Sequence, residues 1–523
     1  MSKKHRLKQP TSPGIVHLVG AGPGDPGLIT VRGRQLLAVA DVIVYDALVT
    51  PELLALCRGG AELIFAGKRP GRHTLEQGRI NQLLAKKAGQ GKRVVRLKGG
   101  DPYLFGRGAE EALYLAARGI PVEVVPGVTA GIAAPACAGI PLTHRHYASA
   151  VAFITGHEDP DKPRRRVDLS ALAGAGTLCF YMGVRNLDRI ARELAAHLPA
   201  GTPAAVIQWG ATPRQRTVVG RLSDIAARAR RAGIRPPAVT VVGRVVGLRG
   251  KLAFYERRPL FGRRIVVTRA REQAGELAEP LRALGADVLL LPVLRIEPPT
   301  DTSSLAAVAR RLENFDWVVF TSVNGVDALM AELDRQRRDA RAFGKARLAA
   351  IGSATSERLA RHGLRADLVP GKYLSAEIVA ELEQAGALAS PGRNTPRPRF
   401  LLPRADIAPA DLAERLRAHD VDVTEVVAYR TVAETEGQEE ALKALAEGAV
   451  DALTFTSSST VRFLTQILGP AGVEQARRSP RLKCFSIGPV TSAAMRELGW
   501  RVDAEAAVHD IPGLVAAVSG ARI

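Results

Sequence analysis

Glycine turns and acids recur at the ends of apolar runs in the first half of this 523-residue chain. Val19-Gly20-Ala21-Gly22-Pro23-Gly24-Asp25-Pro26-Gly27 follows the run 15–19, and Val42-Ile43-Val44-Tyr45-Asp46 reads as a second strand ending in an acid. This is the layout of a dinucleotide-binding unit, in which glycines admit a pyrophosphate and an acid roughly 20 residues on holds the ribose. Two details count against a nicotinamide cofactor. Pro23 stiffens the backbone where freely turning amides are wanted. A second cluster, Leu97-Lys98-Gly99-Gly100-Asp101-Pro102, also follows a strand-like run, 93–97. Two glycine turns after two strands imply one ligand held between several strand ends.

More polar motifs follow in order: Gly67-Lys68-Arg69, Phe105-Gly106-Arg107-Gly108-Ala109-Glu110-Glu111, Val125-Pro126-Gly127-Val128-Thr129-Ala130, Leu142-Thr143-His144-Arg145, Thr155-Gly156-His157, Tyr181-Met182-Gly183 and Gln208-Trp209-Gly210-Ala211-Thr212. From about Gly14 to Lys251 the ordered set resembles the uroporphyrinogen-III C-methyltransferases, members of the tetrapyrrole methylase family that use S-adenosylmethionine. The resemblance implies a two-lobed α/β fold with the cofactor in the cleft, held by Pro23, Gly99, Gly100, Asp101, Leu104, Thr129, Ala130, Met182 and Gly210. It implies Asp46 as proton acceptor and Lys68 as proton donor, and Arg107, Glu110 and Arg145 along the tetrapyrrole. If residues 105–111 begin a helix, Arg107 and Glu110 share a face, and the arginine could orient a carboxylate acting as base. A structural ion pair is the other reading. Ala47 departs from the family, where many relatives place an arginine after the Tyr-Asp pair, so one substrate anchor is missing or replaced. The family also implies a homodimer through this half.

Charge is divided unevenly. Residues 1–260 hold 39 lysines and arginines against 18 acids, whereas the remainder holds 34 of each, so the whole excess of +21 lies in the first half. Such a balance raises nucleic-acid binding as a possibility. The excess is scattered without interleaved aromatics or a recognisable reading motif, and a polyanionic small substrate accounts for a basic cleft, because arginine forks match carboxylates. Uroporphyrinogen carries eight carboxylates. The four cysteines have no C-x-x-C spacing, so no disulfide framework or metal site is expected, in keeping with a reducing cytoplasm. The uncharged stretches 124–143 and 194–213 are broken by Pro and Gly, so no membrane span is expected. Residues 1–13 are basic and lack the apolar core of a secretory signal; they read as a disordered arm.

The second half is duplicated in outline. Arg264-Ile265-Val266-Val267-Thr268-Arg269-Ala270 matches Arg399-Phe400-Leu401-Leu402-Pro403-Arg404-Ala405, and Val318-Val319-Phe320-Thr321-Ser322 matches Leu453-Thr454-Phe455-Thr456-Ser457, both at an offset of 135. Ala350-Ile351-Gly352 matches Ser486-Ile487-Gly488 at 136. The spacing predicts two similar α/β halves with parallel sheets. Hydroxyl residues gather at the predicted strand ends: Thr321 and Ser322, Ser353 and Thr355, Thr456 and Ser457, Thr491 and Ser492. They read either as an anion cleft or as helix N-caps. The repeat, residues 317–325, Pro370-Gly371-Lys372-Tyr373-Leu374-Ser375-Ala376 and Val426-Val427-Ala428-Tyr429-Arg430 resemble uroporphyrinogen-III synthase, a family of two α/β lobes joined by a two-stranded hinge. That resemblance implies Tyr429 as the residue assisting loss of the substrate hydroxyl, while the recurrence of hydroxyls at matching strand ends favours the anion cleft, with Thr321, Ser322, Thr456 and Ser457 binding substrate. The Pro-rich segment 389–398 reads as a loop or hinge insertion.

The expected organisation is an arm 1–13, a C-methyltransferase domain 14–252, a linker 253–263 and a synthase domain 264–523 of two repeated lobes. The expected activity is that of a cytoplasmic fused enzyme. It closes hydroxymethylbilane to uroporphyrinogen III and methylates this at C-2 and C-7 to precorrin-2, toward sirohaem and corrinoids. The alternative is a methylase of a later corrin intermediate joined to an inactive or regulatory synthase-like half.

Overall fold

The computed structural model describes residues 14–67, 76–157, 167–371, 375–388 and 396–521, in two compact units, Met1–Gly262 and Arg263–Ile523. Lys68, the arm 1–13, Lys372 to Leu374 and most of the Pro-rich segment lie outside the described residues.

In the first unit, β1 (Val16–Gly20), β2 (Val42–Tyr45), β3 (Glu62–Phe65), β4 (Val94–Lys98) and β5 (Val122–Val125) form a parallel sheet in the order β3-β2-β4-β1-β5. β1 is buried along its whole length between two helical layers, which is why it reads as an unbroken apolar run. Alternate residues enter opposite cores: Leu18 and Val44 meet Leu84 and Leu115, whereas Val19 and Ile43 meet Leu53 and Leu97. β4 is equally buried yet carries Arg96 and Lys98, so both charges need partners inside. The chain leaves β1 toward β2 on one side and leaves β4 toward β5 on the other. Ligands bind parallel sheets where such connections diverge, beyond the carboxyl ends of the strands. Both glycine turns lie there.

A second sheet in this unit, ordered β6-β7-β10-β8-β9, comprises β6 (Ala150–Thr155), β7 (Gly176–Tyr181), β8 (Pro203–Gln208), β9 (Arg216–Arg221) and β10 (Ala238–Gly243). Only β6 and β7 pair in parallel; the other pairs are antiparallel.

The second unit has two five-stranded sheets. One is ordered β12-β11-β18-β19-β20, from β11 (Arg264–Val267), β12 (Asp287–Leu290), β18 (Ala452–Phe455), β19 (Lys483–Ser486) and β20 (Ala504–Glu505). The other is ordered β13-β17-β16-β14-β15, from β13 (Leu294–Glu297), β14 (Trp317–Phe320), β15 (Arg347–Ala350), β16 (Arg399–Ala405) and β17 (Asp422–Ala433). The sequence repeat relates β11 to β16, β14 to β18 and β15 to β19. The expectation that each repeat forms one lobe is therefore corrected. β11 pairs with β18 and β16 pairs with β14, so the centre of each lobe joins one repeat to the other. β13 runs antiparallel to the far end of β17, Leu294 opposite Ala433, and the chain passes between lobes on these two strands.

Candidate active sites

At the divergence point of the first unit the two glycine turns bond to each other: Gly22 N–H donates to Gly100 O at 3.2 Å and Gly100 N–H to Gly22 O at 2.7 Å. Gly127, beyond β5, closes on both, because a Cβ there would lie 2.2 Å from Gly100 O and 2.7 Å from Gly20 Cα. The amides a pyrophosphate would take are already bonded, which is the structural reason the dinucleotide layout fails.

Two carboxylates lock this floor. Asp101 Oδ1 accepts the N–H groups of Tyr103 and Leu104 at 2.8 and 3.0 Å, and its Oδ2 accepts that of Gly127 at 3.0 Å. Asp46 Oδ1 accepts from Leu48 N–H at 3.0 Å and Oδ2 from Gly99 N–H at 3.1 Å. Each acid thus ties the turn after one strand to the turn after another. Beside them Arg107 forks onto Glu110, at 2.9 and 2.7 Å, with both side chains more than half exposed. The guanidinium holds the Glu110 carboxyl below the usual carboxylate range, which weakens it as a base. The geometry therefore has the two residues paired and leaves Glu110 the poorer base. Arg145 is exposed.

Beneath the floor Glu111 is fully buried and partners the two charges of β4. Its Oε1 lies 2.9 Å from Lys98 Nζ and 3.3 Å from Arg96 Nε, and accepts from Gln77 Nε2 at 3.0 Å, while its buried Oε2 has no hydrogen-bond partner. Burial, and Arg96 beside it, lower the Lys98 ammonium from its ordinary value. This cluster carried no signal in the sequence beyond two charges in an otherwise strand-like run.

Strained backbone gathers in the turn after β4 and in the loops after β7 and β8 of the second sheet. Among the described residues six non-glycines have positive φ, and five are Phe105, Arg107, Met182, Trp209 and Ala211 of the first unit. Each left-handed residue of this kind costs about 1–2 kcal/mol, and such strain concentrates at ligand sites. Met182, at φ 54°, is 51% exposed, which excludes a core-filling role. A Cβ on Gly210 would fall 2.1 Å from Ala134 Cβ, and one on Gly24 2.5 Å from Thr212 Cγ2, so the β1 turn and the loop after β8 meet closely. Tyr181 Oη lies 2.6 Å from Thr129 Oγ1 and accepts from Gly131 N–H at 2.7 Å.

In the second unit Ser322 Oγ caps the helix Val323–Arg335 through Gly325 N–H at 3.1 Å, and Ser457 Oγ caps its counterpart through Thr460 N–H at 3.2 Å. Both serines are N-caps, as the alternative reading had it. Ser492 is buried against Ser486 at 2.5 Å instead of facing a cleft. Tyr429 is 8% exposed, and its hydroxyl meets Ser322 Oγ at 2.9 Å. A bulge opposite Ala405 re-aims this part of β17. Burial pushes the Tyr429 phenol up. The ring lines a cavity of about 590 Å³ with Asn324, Gln273, Asp327, Arg335 and Arg358. Arg358 pairs with Asp327 at 3.0 Å and Arg335 with Glu332 at 2.5 Å.

Two family descriptions match. Tetrapyrrole (corrin/porphyrin) methylases cover residues 16–226, and uroporphyrinogen-III synthase HemD covers 275–516. The porphyrin biosynthesis protein HemD of Ruminiclostridium josui is 37% identical over 455 residues, 86% of this chain and 88% of that one. The chain belongs to this family of methylase–synthase fusions. The uroporphyrinogen-III C-methyltransferase of Bacillus subtilis (strain 168) is 43% identical over 353 residues, 67% of this chain and 72% of that one. A crystal structure of the Thermus thermophilus uroporphyrin-III C-methyl transferase with S-adenyl homocysteine is 41% identical, covering 45% of this chain and 100% of that one at a TM-score of 0.40. The protein is thus a methyltransferase of porphyrin biosynthesis carrying a synthase-family unit. In the methylase unit the fold gathers Pro23, Gly99, Gly100, Asp101, Leu104, Asp46, Thr129 and Ala130 around the floor, and Met182 and Gly210 follow strands of the second sheet. In the synthase unit it joins Ser322 to Tyr429. Among the described residues no helix is long and apolar enough to cross a membrane, and no group of His, Cys, Asp and Glu could hold a metal.

Proposed function

We propose that the methylase unit transfers methyl groups from S-adenosylmethionine to C-2 and C-7 of uroporphyrinogen III, and that the synthase unit makes this substrate from hydroxymethylbilane. The observation that carries the first part is the glycine floor with strained residues beside it. The close crossings at Gly20, Gly127 and Gly210 let the strand-end turns meet with no side chain between them, and Gly100 adds a left-handed turn beside them, which fits a ligand site built from backbone at the strand ends. Pro23, Gly99, Gly100, Asp101, Leu104, Thr129, Ala130, Met182 and Gly210 would hold it. S-adenosylmethionine supplies, when bound, an electrophilic methyl group. The chain's own part is to hold that methyl in line with an electron-rich pyrrole and to accept the ring proton lost afterwards. Asp46 uses one acceptor position on each oxygen for backbone and keeps the others for that proton. Glu110, kept ionised by Arg107, fits orientation of substrate together with Arg145 better than proton removal. Lys68 as proton donor rests on the family resemblance alone.

For the synthase unit the support is the family match and the buried Tyr429–Ser322 pair. A phenol is protonated at neutral pH, so Tyr429 can hydrogen-bond to a departing hydroxyl, and the rise that burial causes makes it a weaker acid, suited to polarising that hydroxyl by a hydrogen bond. A cytoplasmic homodimer through the methylase unit completes the reading.

Incubating the purified chain with hydroxymethylbilane, with and without S-adenosylmethionine, tests both parts. The expected result is isomer III without cofactor and a product two methyl groups heavier with it. Isomer I alone would overturn the synthase part, and no mass gain on supplied uroporphyrinogen III would overturn the methylase part. Tyr429→Phe is expected to slow isomer III formation about tenfold while methylation of supplied uroporphyrinogen III is unchanged, measured by porphyrin isomer separation and methyl incorporation.

A further inference from the structure

We infer that Tyr181 is a positioning residue for the cofactor. Its hydroxyl fastens the start of the helix Ala130–Cys137 to the end of β7, fixing Thr129 and Ala130 on one side of the cleft relative to Met182 on the other. The inference rests on the methylase reading and goes beyond it, since nothing so far gives Tyr181 a role.

The hydrogen bonds single out this residue. Thr129 precedes the helix but its side chain caps none of the helix's own N–H groups. Its Oγ1 lies instead 2.6 Å from Tyr181 Oη, and that same oxygen accepts Gly131 N–H at 2.7 Å. The open amides of a helix start are ordinarily satisfied locally. Here one is satisfied by a phenol from the opposite sheet. Gly131 makes the approach possible, because a Cβ there would lie 2.2 Å from Oη.

Packing makes the phenol rigid. Its ring centroid is 5.0 Å from that of Phe105 and 6.1 Å from that of Phe153. Phe105 belongs to the turn that Asp101 ties down, and it too has positive φ. Three segments therefore converge on one side chain: the turn after β4, the helix start after β5, and the end of β7. The next residue, Met182, is left-handed and exposed, a conformation that persists only where its surroundings hold it. Tyr181, fixed by these contacts, is the last residue of β7 and immediately precedes it.

Tyr181→Phe keeps the ring and removes only the oxygen, leaving Gly131 N–H and Thr129 Oγ1 without their partner. Loss of such a bond corresponds to a change of about tenfold in binding. Calorimetric titration of the full chain with S-adenosylhomocysteine is the measurement. The expected result is a Kd raised about tenfold, a KM for S-adenosylmethionine raised in step, and a KM for uroporphyrinogen III left within about twofold. The kcat at saturating cofactor should fall less than about threefold. A residue that only supports the fold would lower the unfolding midpoint without this selective change. Failure of the wild-type chain to bind S-adenosylhomocysteine would sink the methylase reading itself. Wild-type binding with an equal Kd in Tyr181→Phe would overturn the inference and leave that reading standing. Should Tyr181→Phe not fold, Thr129→Val removes the other hydroxyl at constant bulk, and an unchanged Kd there overturns the inference equally.

Discussion

Gly127→Ala is expected to abolish binding of S-adenosylhomocysteine, raising Kd at least about 100-fold, and to lower kcat/KM for methylation by a similar factor. The added Cβ would sit 2.2 Å from Gly100 O and 2.7 Å from Gly20 Cα, and both neighbours are backbone. A flexible side chain could swing aside; two turns bonded to each other cannot. Relief has to come from breaking the Gly22–Gly100 bridge or pulling Gly127 N–H from Asp101 Oδ2, and either movement deforms the floor. Overpacking of this kind costs about 1–3 kcal/mol in stability. A 100-fold loss of binding is about 2.7 kcal/mol, so the binding loss should at least match the stability loss. Titration calorimetry beside thermal unfolding checks the comparison, and binding within tenfold of wild type would show that the crossing yields more than the geometry allows.

Glu111→Leu is expected to be far more damaging than Lys98→Met, although both break the same buried pair. Without Glu111, Arg96 and Lys98 remain buried with no anion, and an uncompensated buried charge costs about 3–5 kcal/mol. That is a fall of roughly 6–20 °C in the transition that S-adenosylhomocysteine shifts. Without Lys98, Glu111 keeps Arg96 and Gln77, and a strained ammonium is gone, so the change should stay within about 1 kcal/mol. The pH dependence has a definite sign. Lys98 titrates below its ordinary value of about 10.5 in the folded chain, so between the two values the unfolded chain binds the extra proton. The contribution of this group is present in full above 10.5 and is lost as pH falls through the depressed value. Wild type should therefore gain on Lys98→Met as pH rises through the alkaline range. Denaturant midpoints at several pH values measure it; equal losses in the two variants would refute the asymmetry.

Glycine clusters, strand-like runs and their order made the first unit legible, because a turn that admits no side chain writes itself as glycine. Partnership was less legible. The sequence marks Asp46 and Asp101 as groups facing ligand, but not that both also bind backbone amides of neighbouring turns. That depends on which strands lie side by side, and the order β3-β2-β4-β1-β5 is not written in any one segment. Glu111 looked like the neighbour of Glu110 on a helix, yet one carboxylate is buried and the other exposed, since adjacent residues on a helix face about 100° apart. In the second unit the repeat was visible, but not which strands it pairs. β11 and β16 are alike in sequence, and only the register with β18 and β14 assigns each to a lobe.

That exchange of halves has a consequence in time. The lobe built on β13 to β17 is continuous in the chain and can close once β17 has been made. Its companion cannot, because β11 ends at Val267 and its neighbour β18 begins at Ala452, about 185 residues later. At roughly 5–20 residues per second, β11 and β12 leave the ribosome roughly ten to forty seconds before the strand that completes their sheet. Through that interval only the helix Arg271–Ala283 made with them covers these strands, one edge of β11 stays unpaired, and chaperone demand during synthesis should fall on residues 264–290 rather than on the lobe that follows them.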